Sequence, residues 1–479
     1  MLSQTDPRPS LFGFLSSKHW PAVSGRQMLL GAGVILTCLV FGFVTANFTK
    51  LFGSSPAKLA VLPILLVVLM LFALNPLKFF LGALLLRSAG DLVFDSMRLP
   101  IGGGAGLGGV LNFMMLGIAV IVVIKDKPQA SRKHVMLWLL LLLGLLEAVA
   151  VSPLRSEAIR LYVGMLTNFA VFVIAFHVKP RGESALKFGA SLTIWSSVLP
   201  TLYGLYKAVA LAAGGMGGER LASTFAHPNI YAFYLVLVLT LLLYVLRSSD
   251  WQLGSRQRAT VWAYFLLQSA MLGLTMTRSA WIGYAVVVGV YALLYERKWL
   301  IFLVLLPVIG MMVPSIRDRV MDLGEGNEVV QYAKLNSFAW RVALWQSAFA
   351  AMDLKAYLIG NGLESFRVMS VSFFSMSGGT LWGSHSVFVQ VIFELGLLGC
   401  IPAVLLYVRV FKDGLITSRR EKVAGFTVMA IVIQYLVTAA ADNLLYYLVY
   451  NWYFWFVLGC AAADTFNLAS PSRGEPKLV

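Results

Sequence analysis

Long apolar runs separated by short polar connections dominate this chain. They fall near residues 27–47, 59–74, 77–95, 107–124, 135–151, 158–178, 186–212, 229–247, 260–276, 280–296, 299–314, 385–408, 424–441 and 445–465. Such runs have the ~17–25 apolar residues that a helix needs to cross a bilayer. The short alternating strands of a membrane barrel are missing from the pattern. The spacing therefore predicts an all-α polytopic membrane protein with about twelve (12–14) transmembrane helices. The run 77–95 is the weakest, because Arg87 and Asp91 interrupt it and each charge costs about 2.5–3.5 kcal/mol at a helix centre.

One long polar interval, residues 315–384, breaks this rhythm, and a further apolar run opens at His385. Inside it, Asn336 and Ser337 offer a helix cap. Phe338, Val342, Trp345 and Phe349 follow at helical spacing on one face, with Arg341 and Gln346 off that face. This predicts an amphipathic helix, either lying on the membrane surface or packed within the loop. Gly360-Asn361-Gly362 and Ser375-Met376-Ser377-Gly378-Gly379 predict mobile connections back to the membrane.

Composition sharpens the class. A chain of 479 residues that is 59% hydrophobic and 13% charged, with mean hydropathy +0.80, is not a soluble globular protein. Its net charge of +16 follows from the positive-inside rule. Aromatic and basic residues are not interleaved as on a nucleic-acid surface, so no nucleic-acid partner is expected. Cys38, Cys400 and Cys460 fall within apolar runs and imply no disulfide framework. The first run is too long for a cleavable signal and reads as a signal anchor.

With the amino terminus in the cytoplasm, the basic clusters around Lys125–Lys133, Lys179–Lys187, Arg247–Arg258 and Arg409–Lys422 all lie inside. The predicted order is a cytoplasmic tail (1–26), transmembrane helices with short loops (27–314), a long extracytoplasmic loop (315–384), further transmembrane helices (385–465) and a cytoplasmic tail (466–479). His19, His134 and His177 then belong to the cytoplasmic side, and His227 and His385 to the outer face.

Three outer loops share a design. Arg220 and His227 stand in Gly217-Gly218-Glu219-Arg220-Leu221-Ala222-Ser223-Thr224-Phe225-Ala226-His227-Pro228-Asn229, and Arg278 in Thr275-Met276-Thr277-Arg278-Ser279-Ala280-Trp281. His385 follows Ser384, read as a helix cap. Each loop precedes an inward-running helix whose amino-terminal N–H groups face outward. Two arginines added to those ends make an anion site, and a diphosphate is the expected anion. No acid-x-acid pair of the kind that holds a divalent metal occurs in the chain, so neither metal nor cofactor is expected. A helix amino terminus and nearby arginines would keep His385 neutral and able to act as a general base. His227, before proline, reads as a structural hydrogen-bonding residue. Asp442, with Asn443, reads first as a helix cap and second as a partner for an arginine. Asn229, Ser279 and Arg341 complete the supporting set.

These segments resemble the O-antigen ligase and polymerase superfamily of bacterial inner-membrane proteins. The resemblance covers roughly 186–445. It rests on the arginine-bearing loop ending Thr224-Phe225-Ala226-His227-Pro228-Asn229, on Thr277-Arg278-Ser279-Ala280-Trp281, on Ile359-Gly360-Asn361-Gly362, and on His385-Ser386-Val387-Phe388 before Glu394-Leu395-Gly396-Leu397-Leu398-Gly399. It implies a metal-independent, GT-C-like glycosyltransferase of the inner membrane with a periplasmic active site and cytoplasmic termini. Such a ligase moves O-antigen from undecaprenyl diphosphate to lipid A-core. Arg220 and Arg278 would hold the donor diphosphate, and His385 would activate the acceptor hydroxyl as general base or assist at the phosphate. Membrane lipids are the other expected partners, and a monomer the expected state. The alternatives are an O-antigen polymerase, a protein O-oligosaccharyltransferase and, in another class, a lipid-linked oligosaccharide flippase.

Overall fold

The computed structural model describes residues 67, 70–96, 107–126, 131–178, 183–213, 219–321 and 336–469. The expected tail 1–26, the run 27–47 with Cys38, most of the run 59–74, residues 214–218 and 322–335, and all of the expected tail beyond Ala469 lie outside the described residues. The chain divides into two units. The smaller comprises residues 1–80 and 253–260, and in it Asn75 caps a helix by accepting the Lys78 N–H at 3.0 Å. The larger comprises residues 81–252 and 261–479 and contains every candidate site residue.

The helices in chain order are α1 (Pro76–Arg87), α2 (Asp91–Ser96), α3 (Leu107–Asp126), α4 (Arg132–Ala150), α5 (Arg155–His177), α6 (Ala185–Ser196), α7 (Val198–Ala213), α8 (Pro228–Arg247) and α9 (Ser255–Leu274). There follow α10 (Arg278–Leu294), α11 (Leu300–Met311), α12 (Pro314–Met321), α13 (Ser337–Ala350), α14 (Leu354–Ile359), α15 (Ser365–Phe373), α16 (Val387–Thr417), α17 (Lys422–Ala439) and α18 (Leu448–Ala469). No strand occurs among the described residues. Six of these helices (α3, α4, α5, α8, α16 and α17) are long and apolar enough to cross a membrane.

Burial sorts the helices as a membrane solvent requires. Every residue of α8 from Tyr231 to Leu246 is buried, as expected of a helix that is apolar all round. It packs on α17, and α18 packs on α5 and α6. By contrast α11, built of LIFLVLLPVIGM, buries none of its side chains. On α16, Leu397, Leu398, Ile401, Val404, Leu405 and Val408 are exposed. Contiguous apolar exteriors of this size are lipid-facing surface, and the fold is that of a multi-pass helical membrane protein.

Two expected runs are broken in ways that build the site. The run 186–212 is two helices, α6 and α7, joined at Ser197. Pro200 has no N–H for the carbonyl four residues back, and that freed Ser196 carbonyl accepts the Ser88 hydroxyl at 2.7 Å. The run 77–95 ends at Arg87 and restarts at Asp91, with a buried Arg87–Asp91 ion pair at 3.3 Å.

The interval 337–374 forms a small core. Leu344, Ala348, Met352, Ala356, Phe366 and Phe374 pack with Val389 and Phe393 at the start of α16. Asn336 caps α13 as expected, accepting the Phe338 and Ala339 N–H groups at 3.0 and 2.9 Å. Its buried stripe is Leu344 and Ala348, and Trp345 and Phe349 of the expected apolar face pack against the same core, whereas Phe338 is exposed. Gly360-Asn361-Gly362 is not a free connection. Asn361 and Gly362 donate their N–H groups to the Phe393 and Glu394 carbonyls at 3.0 and 2.9 Å, docking the turn where Gly396, at φ 66°, interrupts α16.

A Cβ on Gly396 would lie 2.4 Å from the Leu358 carbonyl oxygen, so Gly396→Ala must both strain the backbone and push the joint apart. The expected loss is at least about 1–3 kcal/mol, seen as a lower thermal-unfolding midpoint in detergent. Gly82→Ala, whose Cβ meets nothing within 4 Å, serves as the control and leaves the midpoint unchanged or slightly raised.

Candidate functional site

The loop that carries Arg220 and His227 is clamped from three sides. The Leu221 N–H donates to the Leu274 carbonyl at 3.0 Å, and the Leu92 N–H to the Thr224 carbonyl at 3.1 Å. The Thr224 hydroxyl donates to the Ser88 carbonyl at 2.7 Å, and the Ala226 N–H to Asp91 at 3.1 Å. The Ser223 hydroxyl donates to the Pro200 carbonyl at 2.5 Å. The polar break between α1 and α2 and the proline joint of α7 are therefore what fix this loop.

Arg220 is held by three acceptors. Its Nε donates to the Thr275 carbonyl at 3.0 Å, and its Nη2 donates to Thr277 Oγ1 at 2.8 Å and to Asn229 Oδ1. Asn229 in turn donates through Nδ2 to Asp442. Asp442, only 4% exposed, also accepts the Tyr447 hydroxyl at 2.7 Å and the Asn443 N–H at 2.8 Å. The expected helix-cap role for Asp442 is therefore replaced: it is a buried hub that reaches Arg220 through Asn229.

Arg278, the first residue of α10, donates to Ser337 Oγ at 2.6 Å and to the Arg319 carbonyl at 3.3 Å. Arg341 donates to the Ala441 carbonyl at 3.0 Å, beside Asp442. Ser279 joins none of the hydrogen bonds of this network. Arg220, Arg278, Arg319, Arg341, His227 and His385 are thus drawn into one region around Asp442, and their charges act on one another. Burial, then Arg319, pulls Arg220 below its ordinary value against the opposing Asp442. Burial also lowers Arg341, again against Asp442.

The two histidines differ in role. His227 is the amino-terminal cap of α8, accepting the Asn229 N–H on Nδ1 at 3.1 Å, which is the structural part expected of it. His385 lies in the left-handed region at φ 52°, uncommon for a residue with a side chain, with its ring edge-on to Trp340 at 6.1 Å. The expected cap at Ser384 is displaced to Ser386, whose Oγ accepts the Val389 N–H. Ser384 instead donates to Asn443 Oδ1 at 3.0 Å and to the Ser386 carbonyl at 2.8 Å, while its own carbonyl accepts Trp345 Nε1 at 2.6 Å. Burial first, then Arg341, lowers His385 below the ordinary imidazole value of 6.5, with Asp442 pulling the other way. Burial and Arg220 do the same to His227.

Helix ends contribute less than expected, because His227 and Ser386 occupy N–H groups of α8 and α16. At α10 the Thr277 side chain makes no capping bond and serves Arg220. Sequence reasoning missed Arg319, Thr277 and Tyr447. Arg319 follows Arg317 and Asp318 and reads as one more solvated charge. Backbone strain adds a signal that no sequence rule supplies: Ser223, Met276 and His385, one in each loop, all have positive φ, and such outliers gather where a site is held in shape.

A multi-pass helical membrane protein with this cationic cluster at one end of its helices is the class the geometry defines. A family model described as O-antigen ligase matches residues 263–404, which supports membership of the O-antigen ligase superfamily. The match includes Arg278, Arg319, Arg341 and His385, and is narrower than the 186–445 covered by the motifs. Arg220, His227, Asn229 and Asp442 lie outside it. Comparison with curated proteins finds no match. Membership implies glycosyltransferase-like activity on lipid-linked glycans.

Because Asp442 is the group that raises both imidazoles, Asp442→Asn should shift the titrations of His227 and His385 to still lower pH. Histidine NMR titration of the purified variant measures this. Unmoved titrations would mean that Asp442 acts through packing alone.

Proposed function

We propose that this protein transfers O-antigen glycan from undecaprenyl diphosphate to a sugar hydroxyl of lipid A-core at the periplasmic face of the inner membrane. The observation that carries the proposal is the gathering of Arg220 and Arg341 about the buried Asp442, with Arg278 and Arg319 near enough to repel Arg220, beside His385. Four guanidinium groups held together repel one another, and a multiply charged anion is the ligand that relieves this. A diphosphate fits, and Arg220 and Arg278 are its primary holders, with Arg341 and Arg319 beside them.

In the reaction, the acceptor oxygen bonds to the anomeric carbon of the donor sugar as the bond from that carbon to the diphosphate oxygen breaks. His385, neutral because of its depressed pKa, accepts the acceptor's proton. The arginines take up the negative charge that grows on the departing lipid diphosphate. The periplasmic placement rests on the basic asymmetry of the loops, and it carries with it the 12–14 spans, the cytoplasmic termini and the loop 315–384 on the outer side.

The deciding experiment incubates purified protein with lipid-diphosphate glycan and lipid A-core. Joined product supports the reading. Longer glycan on the carrier lipid would make the protein a polymerase, and unaltered lipid displaced across a vesicle membrane would make it a transporter. His385→Ala should lower kcat by about 10²–10⁴-fold with donor binding retained. Base catalysis is lost as pH falls through the pKa of His385, so the acid limb of kcat/KM should have its midpoint below 6.5. Bound diphosphate raises that pKa, so the kcat limb should sit at higher pH. Arg278→Lys keeps the charge but loses the fork, and should forfeit most of the activity in the same assay.

A further inference from the structure

A cavity of about 210 Å³ lies against Gly383, Ser384 and Asn443, chain neighbours of His385 and Asp442. Its lining is unlike that of the cationic site. Glu364 and Glu394 are 3% and 1% exposed, Gln390 is 2% exposed, and Tyr446 and Arg367 stand at the partly open rim.

These groups do not have the same freedom. Glu394 is occupied: its carboxylate takes the Glu364 and Phe366 backbone N–H groups at the start of α15 and Gln390 Nε2 at 3.2 Å. It clasps the loop core onto α16. Glu364 takes one close donor, the Tyr446 hydroxyl at 2.8 Å, while Arg367 Nε stays 3.7 Å away. Gln390 spends its amide N–H groups on Glu394 and on Tyr446 at 2.7 Å, and its buried Oε1 has no hydrogen-bond partner. Glu364 is also held in the left-handed region at φ 63°. One buried acceptor without a donor, Gln390 Oε1, thus faces the cavity beside Glu364, a buried carboxylate with one close hydrogen bond and a long ion pair. A ligand rich in O–H groups would supply the donor that Gln390 Oε1 lacks and a further donor for Glu364.

We propose that this cavity holds a sugar ring of the acceptor glycan, with its hydroxyls donating to Glu364 and to Gln390 Oε1. The proposal rests on the glycan-transfer reading above. Ser384 and Asn443 line the cavity and are chain neighbours of His385 and Asp442. A ring seated there would lie against the residues that adjoin His385, with the diphosphate held by the arginines.

The test uses the purified full-length protein, lipid-diphosphate glycan and lipid A-core, with initial rates measured against each substrate. Glu364→Gln, which keeps the shape and the Tyr446 bond, and Tyr446→Phe at the rim are compared with the unsubstituted protein. Calorimetric titration with delipidated core oligosaccharide reads acceptor binding directly. Both variants should raise the acceptor KM, and weaken core binding, by about tenfold while the donor KM stays within about twofold. A raised donor KM with unchanged acceptor KM would assign the cavity to the donor sugar and overturn the proposal. A fall in kcat with both KM values unchanged would leave the cavity a packing element and overturn it as well, as would unaltered kinetics. If the unsubstituted protein joins no glycan to lipid A-core, the transfer reading falls and takes this proposal with it. A loss confined to the variants bears on the cavity alone.

Discussion

A buried carboxylate in a membrane protein persists only when its lone pairs are filled, and much of this site follows from how Asp442 meets that demand. Its partners come from separate places in the chain: Asn229 at the start of α8, and Tyr447 and Asn443 after α17. Because Asn229 uses its other end on Arg220, and Arg220 reaches Thr275 and Thr277 before α10, one acid joins the ends of three helices. The loops carry the candidate site residues, yet their placement is set by this shared requirement.

The same acid sets the electrostatic tone. Without an opposing charge, the guanidinium groups would drive both imidazoles further down and would repel one another. Asp442 offsets part of that repulsion while leaving an excess of positive charge for a ligand to meet. His385 receives the effect through space, because its contacts are with Trp340 and with the Ser384–Ser386 segment rather than with an acid. Burial and then Arg341 bias an imidazole so placed toward its neutral form, and backbone geometry holds it in position.

How much of this was legible in the sequence depends on which force each feature obeys. Helices and membrane character follow from the length of apolar runs, and most helix ends fall within a few residues of expectation. Asn336 before Ser337 and His227 before Pro228 announce their caps, since capping is local. The join at Ser197 was hidden because hydropathy is continuous across it and only the missing N–H of Pro200 interrupts the ladder. Gly360-Asn361-Gly362 looked mobile because its partner, the break at Gly396, is distant in sequence. Arg220, Arg278 and His385 were readable as candidates from residue type and position. Arg319 was camouflaged by Arg317 and Asp318, and the strain at Ser223, Met276 and His385 was unreadable because none of them is glycine.

The distances in sequence between bonded partners also dictate an order of assembly. Ser88 waits for the Ser196 carbonyl and for Thr224, Asn229 waits for Asp442, and Ser384 waits for Asn443. A chain made from its amino terminus therefore holds most of its arginines in the membrane well before the acid that organises them arrives. Until the turn after α17 has emerged, the nascent protein has cationic loops but no gathered pocket. The gathering of the arginines is thus deferred to nearly the last step of biogenesis, and an incomplete chain has no acid around which to assemble them.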